Sequence, residues 1–545
     1  MSRSKDTEIQ RSKTGDADPV APLGSVPSAS SAPSFPSVPS ALGSDFLQLD
    51  IGQAPPGGRT AWLADRLRAA IADGRLPVGS RLPASRVLAE ELRVARGVVT
   101  EAYQRLAEAG QVAGRGRLGT TVVAAPPPPG SAPGTAAAEA RGQAPGAAAR
   151  ALFGSGARAG AVDALRAAPC RIDLSPGVPD LAAFPRAAWL RAERAVLGSL
   201  PPSGFGYGDA RGAPALRTAV ADWLARSRGI RADPGEVVVV AGVAQALGLL
   251  GAVLRARAVD RIAVEDPGSL GTRQQLEYGG LTTVPVPVDE GGLRVDALRA
   301  TGAKAVLLTP AHQFPTGVVL DGERRRALLG WAAEEDGLII EDDYDAEHRY
   351  DRAPVPALRS LLAERVCYAG SVSKLLAPAL RVGWLLVPPR LHEAVVTAKR
   401  NADLGNAVLP QLVLAHLMAS GELERHLRFV RRRHRARRDA MLRAIGAHLP
   451  GARVHGAAAG LHLTVTFGGP GAPRGGGGAD VRFSDTDLAA AALDAGVKAH
   501  PLSWHRLLPG PPGLVLGYAA GPASEIEEGI AVLGTALRRV ASPGS

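Results

Sequence analysis

Apolar positions recur at helical spacing in one short stretch of the chain. In a much longer stretch, strand-like and helical runs alternate. The short stretch lies near 50–123. Trp62, Leu63, Leu67, Ala70 and Ile71 share one face of a helix, which Gly74 and then Pro77 can end. A second helix fits 85–92, with Ser85 near its N-cap. A third fits 96–109, with Val98, Val99, Ala102, Tyr103 and Leu106 turned inward and Gly110 as its stop. The segment QVAGRGRLGTTVV (111–123) reads as two short strands around a basic, glycine-rich tip.

In the long stretch, near 169–541, the pattern predicts strands at 237–241, 261–265, 282–286, 305–309, 338–341, 366–369 and 382–387, with helical segments between most of them. Such alternation predicts a doubly wound α/β sheet, with its ligand beyond the strand C-termini at a topological switch point. Residues 1–49 are rich in Ser, Pro and Ala, lack periodicity and read as a disordered tail. Residues 124–168, with Pro126 to Pro129 and many Ala and Gly, read as a flexible linker.

Composition adds limits. With 545 residues, the chain is long enough for more than one domain. No run approaches 18 apolar residues, which argues against a membrane span, and no apolar signal core precedes the first block. Cys170 and Cys367 can neither form a disulfide framework nor fill a four-cysteine zinc site. A reduced, cytoplasmic setting is expected. The net charge of +11 permits nucleic-acid binding. The arginine excess, alongside abundant Ala, Gly and Pro, reads largely as compositional bias.

Charge placement is more telling. With Val98, Ala102 and Leu106 inward, the third helix turns Arg96, Gly97, Thr100, Glu101 and Gln104 outward, donors suited to phosphates and base edges. Ser85 and Arg86 stand where a phosphate could be braced, and Arg115 and Arg117 at the hairpin tip could reach an adjacent groove. Residues 51–125 hold eleven arginines, no lysine and six acids, a net of +5. A helix-turn-helix with a basic wing has this footprint. A three-helix bundle with a solvated charged face fits the same pattern. Through its whole length, GRLPVGSRLPASRVLAEELRVARGVVTEAYQRLAEAGQVAGRGRLGTTVV (74–123) resembles the winged helix of the GntR superfamily. The resemblance implies that Arg86, Arg96, Thr100 and wing residues near Gly119 contact double-stranded DNA. The wing tip departs from the usual Gly-x-Gly-Thr: here it is Arg117-Leu118-Gly119-Thr120, with the freedom of one glycine lost.

Four segments of the long stretch carry candidate chemistry. In SVSKLLAPALRVGW (371–384), Lys374 sits among small and apolar residues, where desolvation lowers a lysine pKa and favours a Schiff base with an aldehyde. Ser371, Ser373 and Arg381 could hold a phosphate beside it. A surface lysine fits the same segment. In EDDYDAEHRY (341–350), Asp342 could pair with a protonated pyridine nitrogen and Tyr344 with a phenolic oxygen. Its five acids within seven residues also suit a hard metal or the first turn of a helix. TPAHQFPTG (309–317) brings His312 and Gln313 to a turn after a strand, able to meet a ring's substituents. In AGVAQALGLL (241–250), the Val243 and Ala244 amides would open a helix and attract an anion.

Together with YGDARGAPALR (207–217) and EDPG (265–268), these segments resemble, in order, the fold-type-I aminotransferases, specifically the MocR-type branch of GntR regulators that joins both domains. The resemblance implies pyridoxal 5'-phosphate in Schiff-base linkage to Lys374, with Asp342 on the pyridine nitrogen and Tyr344 on the phenolic oxygen. It implies Ser371, Ser373 and Arg381 on the phosphate, joined by Tyr207 from a second subunit, and hence a homodimer. Three positions depart from that family. Ser269 replaces a stacking aromatic, Gly271 replaces an arginine, and LVLGYAAG (514–521) lacks the arginine that receives a substrate carboxylate, with none anywhere from 507 to 537. Arg506 and Arg273 are the available substitutes.

The expected function is a transcription regulator. Its aminotransferase-like domain would sense pyridoxal phosphate, an amine or an amino acid, with little or no turnover. The alternatives are a working aminotransferase carrying a DNA-binding appendage, and a structural DNA-binding dimer with an empty pocket. ERHLRFVRRRHRARRDA (424–440), with eight arginines on a helix, could touch DNA phosphates or form a solvated face.

Overall fold

A computed structural model describes residues 49–55, 58–114, 119–123, 147–154, 160–345, 347–350, 355–468 and 483–541. The tail before residue 49, the first half of the expected linker, and Arg115 and Arg117 lie outside the described residues.

The N-terminal unit is built from α1 (Arg59–Ala72), α2 (Ser85–Glu91) and α3 (Arg96–Glu108), followed by the antiparallel pair β1 (Val112–Gly114) and β2 (Thr120–Val122). Leu63, Leu67, Leu88, Val99, Ala102 and Leu106 meet in one core at full burial, each large side chain contributing about 2 kcal/mol of transfer free energy. Val98 only flanks this core. Ser85 is not the cap of α2. Ala84 holds that position without a side-chain bond, and the Ser85 hydroxyl instead accepts from Arg96 Nε at 3.4 Å. Gly119 enters β2 at φ +82°, so the wing keeps a glycine where its backbone is left-handed.

Part of the expected linker is helical. Ala147–Gly154 forms α4 and Ala161–Ala167 forms α5. Ala149 and Phe153, then Ala161 and Leu165, recur four apart, and all four are buried in the C-terminal core. The Phe153 ring lies 5.2 Å from that of Trp504. An alanine-rich stretch is a good helix former, and here its few large apolar residues fall on one face.

Strand β3 (Ile172–Asp173) begins the large unit. Its central sheet contains β4 (Val238–Val240), β5 (Arg261–Asp266), β6 (Thr282–Asp289), β7 (Gly292–Leu293), β8 (Ala305–Leu308), β9 (Leu338–Asp343), β10 (Val366–Ser371) and β11 (Gly383–Leu386). Their spatial order is β4-β11-β10-β9-β8-β5-β6-β7. All seven expected strands are present. One of them runs against the rest: β11 pairs antiparallel with both β10 and β4. Residues 372–382 between β10 and β11 are too few for a helical crossover, so the chain turns back.

A second sheet comprises β12 (Ala452–His455), β13 (His462–Phe467), β15 (His500–Pro501) and β16 (Gly513–Gly517), in the order β12-β13-β16-β15. Strand β14 (Val497–Lys498) pairs with β3. Helices Glu422–His448, Asp485–Asp494 and Ala523–Ala541 share their core with α4 and α5. Among the described residues, no helix is long and apolar enough to cross a membrane.

Candidate functional site

A cavity of about 360 Å³ opens beyond the C-terminal ends of β4, β5, β8, β9 and β10. Lys374, Asp342, Tyr344, Ser371, Ser373, Arg381, Val243 and Ala244 all line it.

Strand geometry sorts the acids of EDDYDAEHRY. Side chains alternate along β9, so Asp342 and Tyr344 face the cavity while Glu341 and Asp343 face away. Asp343 Oδ2 accepts from Arg228 Nε and from the Tyr368 hydroxyl, each at 2.5 Å. Glu341 Oε2 accepts from the Arg359 amide at 3.2 Å. These acids therefore do not converge on one ion, and the strand runs through Asp343 rather than opening a helix.

Asp342 is buried, and its Oδ1 has no hydrogen-bond partner. Burial, with Asp343 and Asp345 nearby, pushes its carboxyl up to about 7 against the opposing pull of Lys374. Burial also pulls the Lys374 ammonium down, although Asp342 and Asp345 oppose it. Lys374 Nζ donates to the Gly177 carbonyl at 2.5 Å. Ser371 ends β10 and its Oγ accepts from the Ser373 amide at 3.4 Å. Arg381 holds a left-handed backbone at φ +50° and donates to the Ala241 carbonyl. Gly242 precedes helix Val243–Ala256, and a Cβ there would stand 3.4 Å from the Arg381 guanidinium. The first amides of that helix have no partner within it and point their dipole at the same space.

Two expectations need correction. His312 does not line the cavity. It is fully enclosed behind Tyr344, with Nδ1 2.9 Å from Asp345 Oδ2 and 3.0 Å from the Tyr344 hydroxyl. The adjoining Gln313 is spent on the turn, donating to the Pro267 and Phe314 carbonyls. The arginine-rich helix is neither free for DNA along its length nor simply solvated. Arg431 donates to the Glu347 carbonyl, Arg437 to the Ala519 carbonyl and Arg438 to the Ala457 carbonyl. Arg425, Arg428, Arg432 and Arg435 remain exposed.

Tyr207 is 96% exposed and lies apart from the cavity of its own chain, beside Arg211, Arg400 and Leu404. Several lining residues carried no sequence signal of their own. Gly177 lies in a loop after β3. Glu265, within EDPG, is buried with its carboxyl pushed up to about 7 by burial, and it accepts from the Thr309 amide and hydroxyl at 2.9 and 2.7 Å. Arg273 lines the cavity, whereas Arg506 does not and donates to the Pro511 carbonyl.

On the N-terminal unit, Arg86, Arg96, Gly97, Thr100 and Gln104 are exposed, and Gly119 flanks the same hairpin. The opposite end of α3 meets the large unit. Arg433 Nη2 donates to the Glu108 carbonyl at 3.0 Å, and its Nε donates to Asp180 Oδ2 at 2.7 Å. Arg437 Nη1 lies 3.0 Å from the same Asp180 oxygen. Gly110 sits against Ala182, so closely that a Cβ would stand 2.8 Å from the Ala182 carbonyl oxygen.

Residues 171–533 match the aminotransferase class I and II family, and residues 60–122 match the bacterial regulatory proteins of the gntR family. The chain is 32% identical to the probable rhizopine catabolism regulatory protein MocR of Rhizobium meliloti, over 89% of this chain and 94% of that one. It is 34% identical to the pyridoxine biosynthesis transcriptional regulator PdxR of Corynebacterium glutamicum, over 74% and 82%. Among solved structures, the α-aminoadipate aminotransferase LysN of Thermus thermophilus, complexed with N-(5'-phosphopyridoxyl)-L-leucine, superposes with a TM-score of 0.61 at 28% identity, over 71% of this chain and 97% of that one.

Proposed function

We infer what the protein does from its family: the chain belongs to the MocR-type branch of the gntR regulators, with a gntR winged helix at residues 60–122 and an aminotransferase class I and II domain at 171–533. It is a DNA-binding transcription regulator, and its cofactor is pyridoxal 5'-phosphate.

The residues present suit that group. Asp342 offers a buried, unpartnered carboxylate oxygen to a protonated pyridine nitrogen. Tyr344 offers a hydroxyl to the phenolic oxygen, backed by His312 and Asp345. Ser371, Ser373, Arg381 and the Val243 and Ala244 amides supply phosphate donors around a glycine that leaves room for them. Lys374 supplies a primary amine to the aldehyde. When bound, the cofactor supplies that aldehyde and an electron-withdrawing ring for reaction with amines.

Tyr207, exposed and remote from its own cavity, serves the phosphate of a second subunit, so the active assembly is a homodimer. Arg86, Arg96, Thr100 and the wing residues Arg115, Arg117 and Gly119 grip double-stranded DNA. The DNA-binding unit lies within about 50–123, and the large unit begins with α4 near residue 147. The large unit acts as a sensor for pyridoxal phosphate, an amine or an amino acid. β16 carries Leu514, Val515 and Leu516 and no arginine, so a ligand's acid group has to be held from elsewhere in the cavity, an arrangement that favours binding over steady turnover. Steady amino transfer at about 1 s⁻¹ would restore the enzyme reading.

One observation supports sensing above the rest. The loop after β3 touches both sites, through the Gly177 carbonyl on Lys374 and through Asp180, whose partner Arg433 also holds the end of α3. When Lys374 is engaged by cofactor or amine, its bond to Gly177 is released and the seat of the winged helix can move. Asp180→Asn removes one charge from that seat. The variant should keep full cofactor absorbance while the change in operator affinity on adding pyridoxal phosphate shrinks severalfold. An unaltered response would rule this route out.

A further inference from the structure

Cofactor binding accounts for every charged group of the cavity except one. Lys374 goes to the aldehyde, Asp342 to the ring nitrogen and Arg381 to the phosphate, while Glu265 is held by Thr309. Arg273 is left over. It sits one turn into helix Leu270–Tyr278, is buried to 7% exposure and lines the cavity. Among the described residues its hydrogen bond runs from Nη2 to the Trp504 carbonyl at 3.4 Å, and no carboxylate forms an ion pair with its guanidinium. The acids whose field reaches it are Glu277 and Asp266. Both are committed: Glu277 accepts from the Thr283 hydroxyl at 2.7 Å, and Asp266 accepts from the Leu507 and Leu508 amides at 2.6 and 3.0 Å. A buried guanidinium with no carboxylate in direct contact is costly to keep unless something anionic comes to it.

The two small residues before Arg273 explain how a ligand reaches it. Ser269 turns its hydroxyl inward to cap its own helix, accepting from the Thr272 amide at 3.3 Å. At Gly271 an added Cβ would meet nothing within 4 Å, so the space beside it is open. Ser269 and Gly271 line the same cavity as Arg273, so bulky side chains at these positions would take up the space beside it.

We propose that Arg273 is the anchor for the acid group of the effector, which is therefore a primary amine bearing a carboxylate. This rests on the cofactor placement given above. The amine end meets the cofactor at Lys374 and the carboxylate meets Arg273, so the cavity selects amino acids over simple amines by charge and by reach.

The test uses purified full-length protein loaded with pyridoxal phosphate, read by the shift in cofactor absorbance. The probes are L-alanine and the straight-chain amino acids from glycine to 6-aminohexanoate, each beside the n-alkylamine of equal length. At least one acid should act at about tenfold or more lower concentration than its matched amine, the range a charge-assisted hydrogen bond supplies. Arg273→Gln should erase that preference and leave the starting absorbance intact, and Arg273→Lys should restore part of it. Gly271→Leu, which fills the open space, should also weaken the acids and spare the cofactor. The proposal is overturned if no acid outperforms its amine in the wild type, or if the preference survives in both Arg273→Gln and Gly271→Leu. A wild type lacking cofactor absorbance altogether would instead strike the cofactor placement, and with it this proposal.

Discussion

Asp342 and Tyr344 stand two residues apart at the end of β9 and face the same cavity, while Asp343 between them points the other way into the Arg228–Tyr368 pair. This alternation turns a run of acids into two separate devices. One is a structural ion pair. The other is a buried carboxyl with one oxygen that has no hydrogen-bond partner.

The second device predicts a pH effect on the cofactor-free protein. The folded Asp342 carboxyl is raised to about 7 by burial, so between its ordinary range near 4 and about 7 the folded state holds a proton that the unfolded chain has released. The contribution of Asp342 to stability therefore falls as pH rises through that window. Asp342→Asn removes the penalty. Without cofactor, the variant should melt several degrees higher than wild type at pH 8 and at about the same temperature at pH 4. With cofactor, it should bind at least tenfold more weakly, since a cationic ring nitrogen is then unmatched. Equal melting differences at both pH values would refute the assignment.

Lys374 is the expected site of covalent attachment. Borohydride reduction of the loaded protein should place the pyridoxyl label there, and Lys374→Ala should lose it with the fold retained. Lys399 is tied to both oxygens of Asp403 at 2.7 and 2.6 Å, and Lys304 donates to the Glu335 carbonyl. A label on either of these, found by peptide mapping, would contradict the site.

Much of this was legible in the sequence because it rests on local rules. Helical spacing placed α1 to α3, and runs of Val, Ile and Leu placed the seven strands. The strand-end positions of Asp342, Tyr344 and Lys374 followed from those strands. What escaped depends on long-range packing. The pairs Ala149–Phe153 and Ala161–Leu165 are too sparse to stand out in an alanine- and glycine-rich stretch, and they become a core face only once Trp504 and the C-terminal helices surround them. Gly177 meets Lys374 across 197 positions. A turn after a strand leaves His312 able to meet a ring's substituents, but in the fold its Nδ1 is held by Asp345 and the Tyr344 hydroxyl, one layer back. The arginine-rich helix reads as a solvated or DNA-facing surface until the backbone carbonyls that Arg431, Arg437 and Arg438 reach are known.

On the DNA face, Arg96 is exposed at the start of α3 and held only by a long contact to Ser85. If it reads a base edge, Arg96→Ala should weaken operator binding by about 1–3 kcal/mol. Arg86→Ala, as loss of a phosphate contact, should weaken all sequences alike and flatten the salt dependence. Filter-binding titrations at several salt concentrations separate these outcomes. Unchanged affinity in both variants would misplace the interface.

The central claim is that one chain binds DNA and lets pyridoxal phosphate alter that binding. Footprinting of the full-length protein on the DNA upstream of its own coding region, with and without pyridoxal phosphate, tests it most directly. The account predicts a protected site of two half-sites, one for each winged helix of a dimer, whose protection or midpoint concentration changes when the cofactor is added and fails to change in Lys374→Ala. Absence of a footprint, or one indifferent to the cofactor in wild type and variant alike, would contradict it.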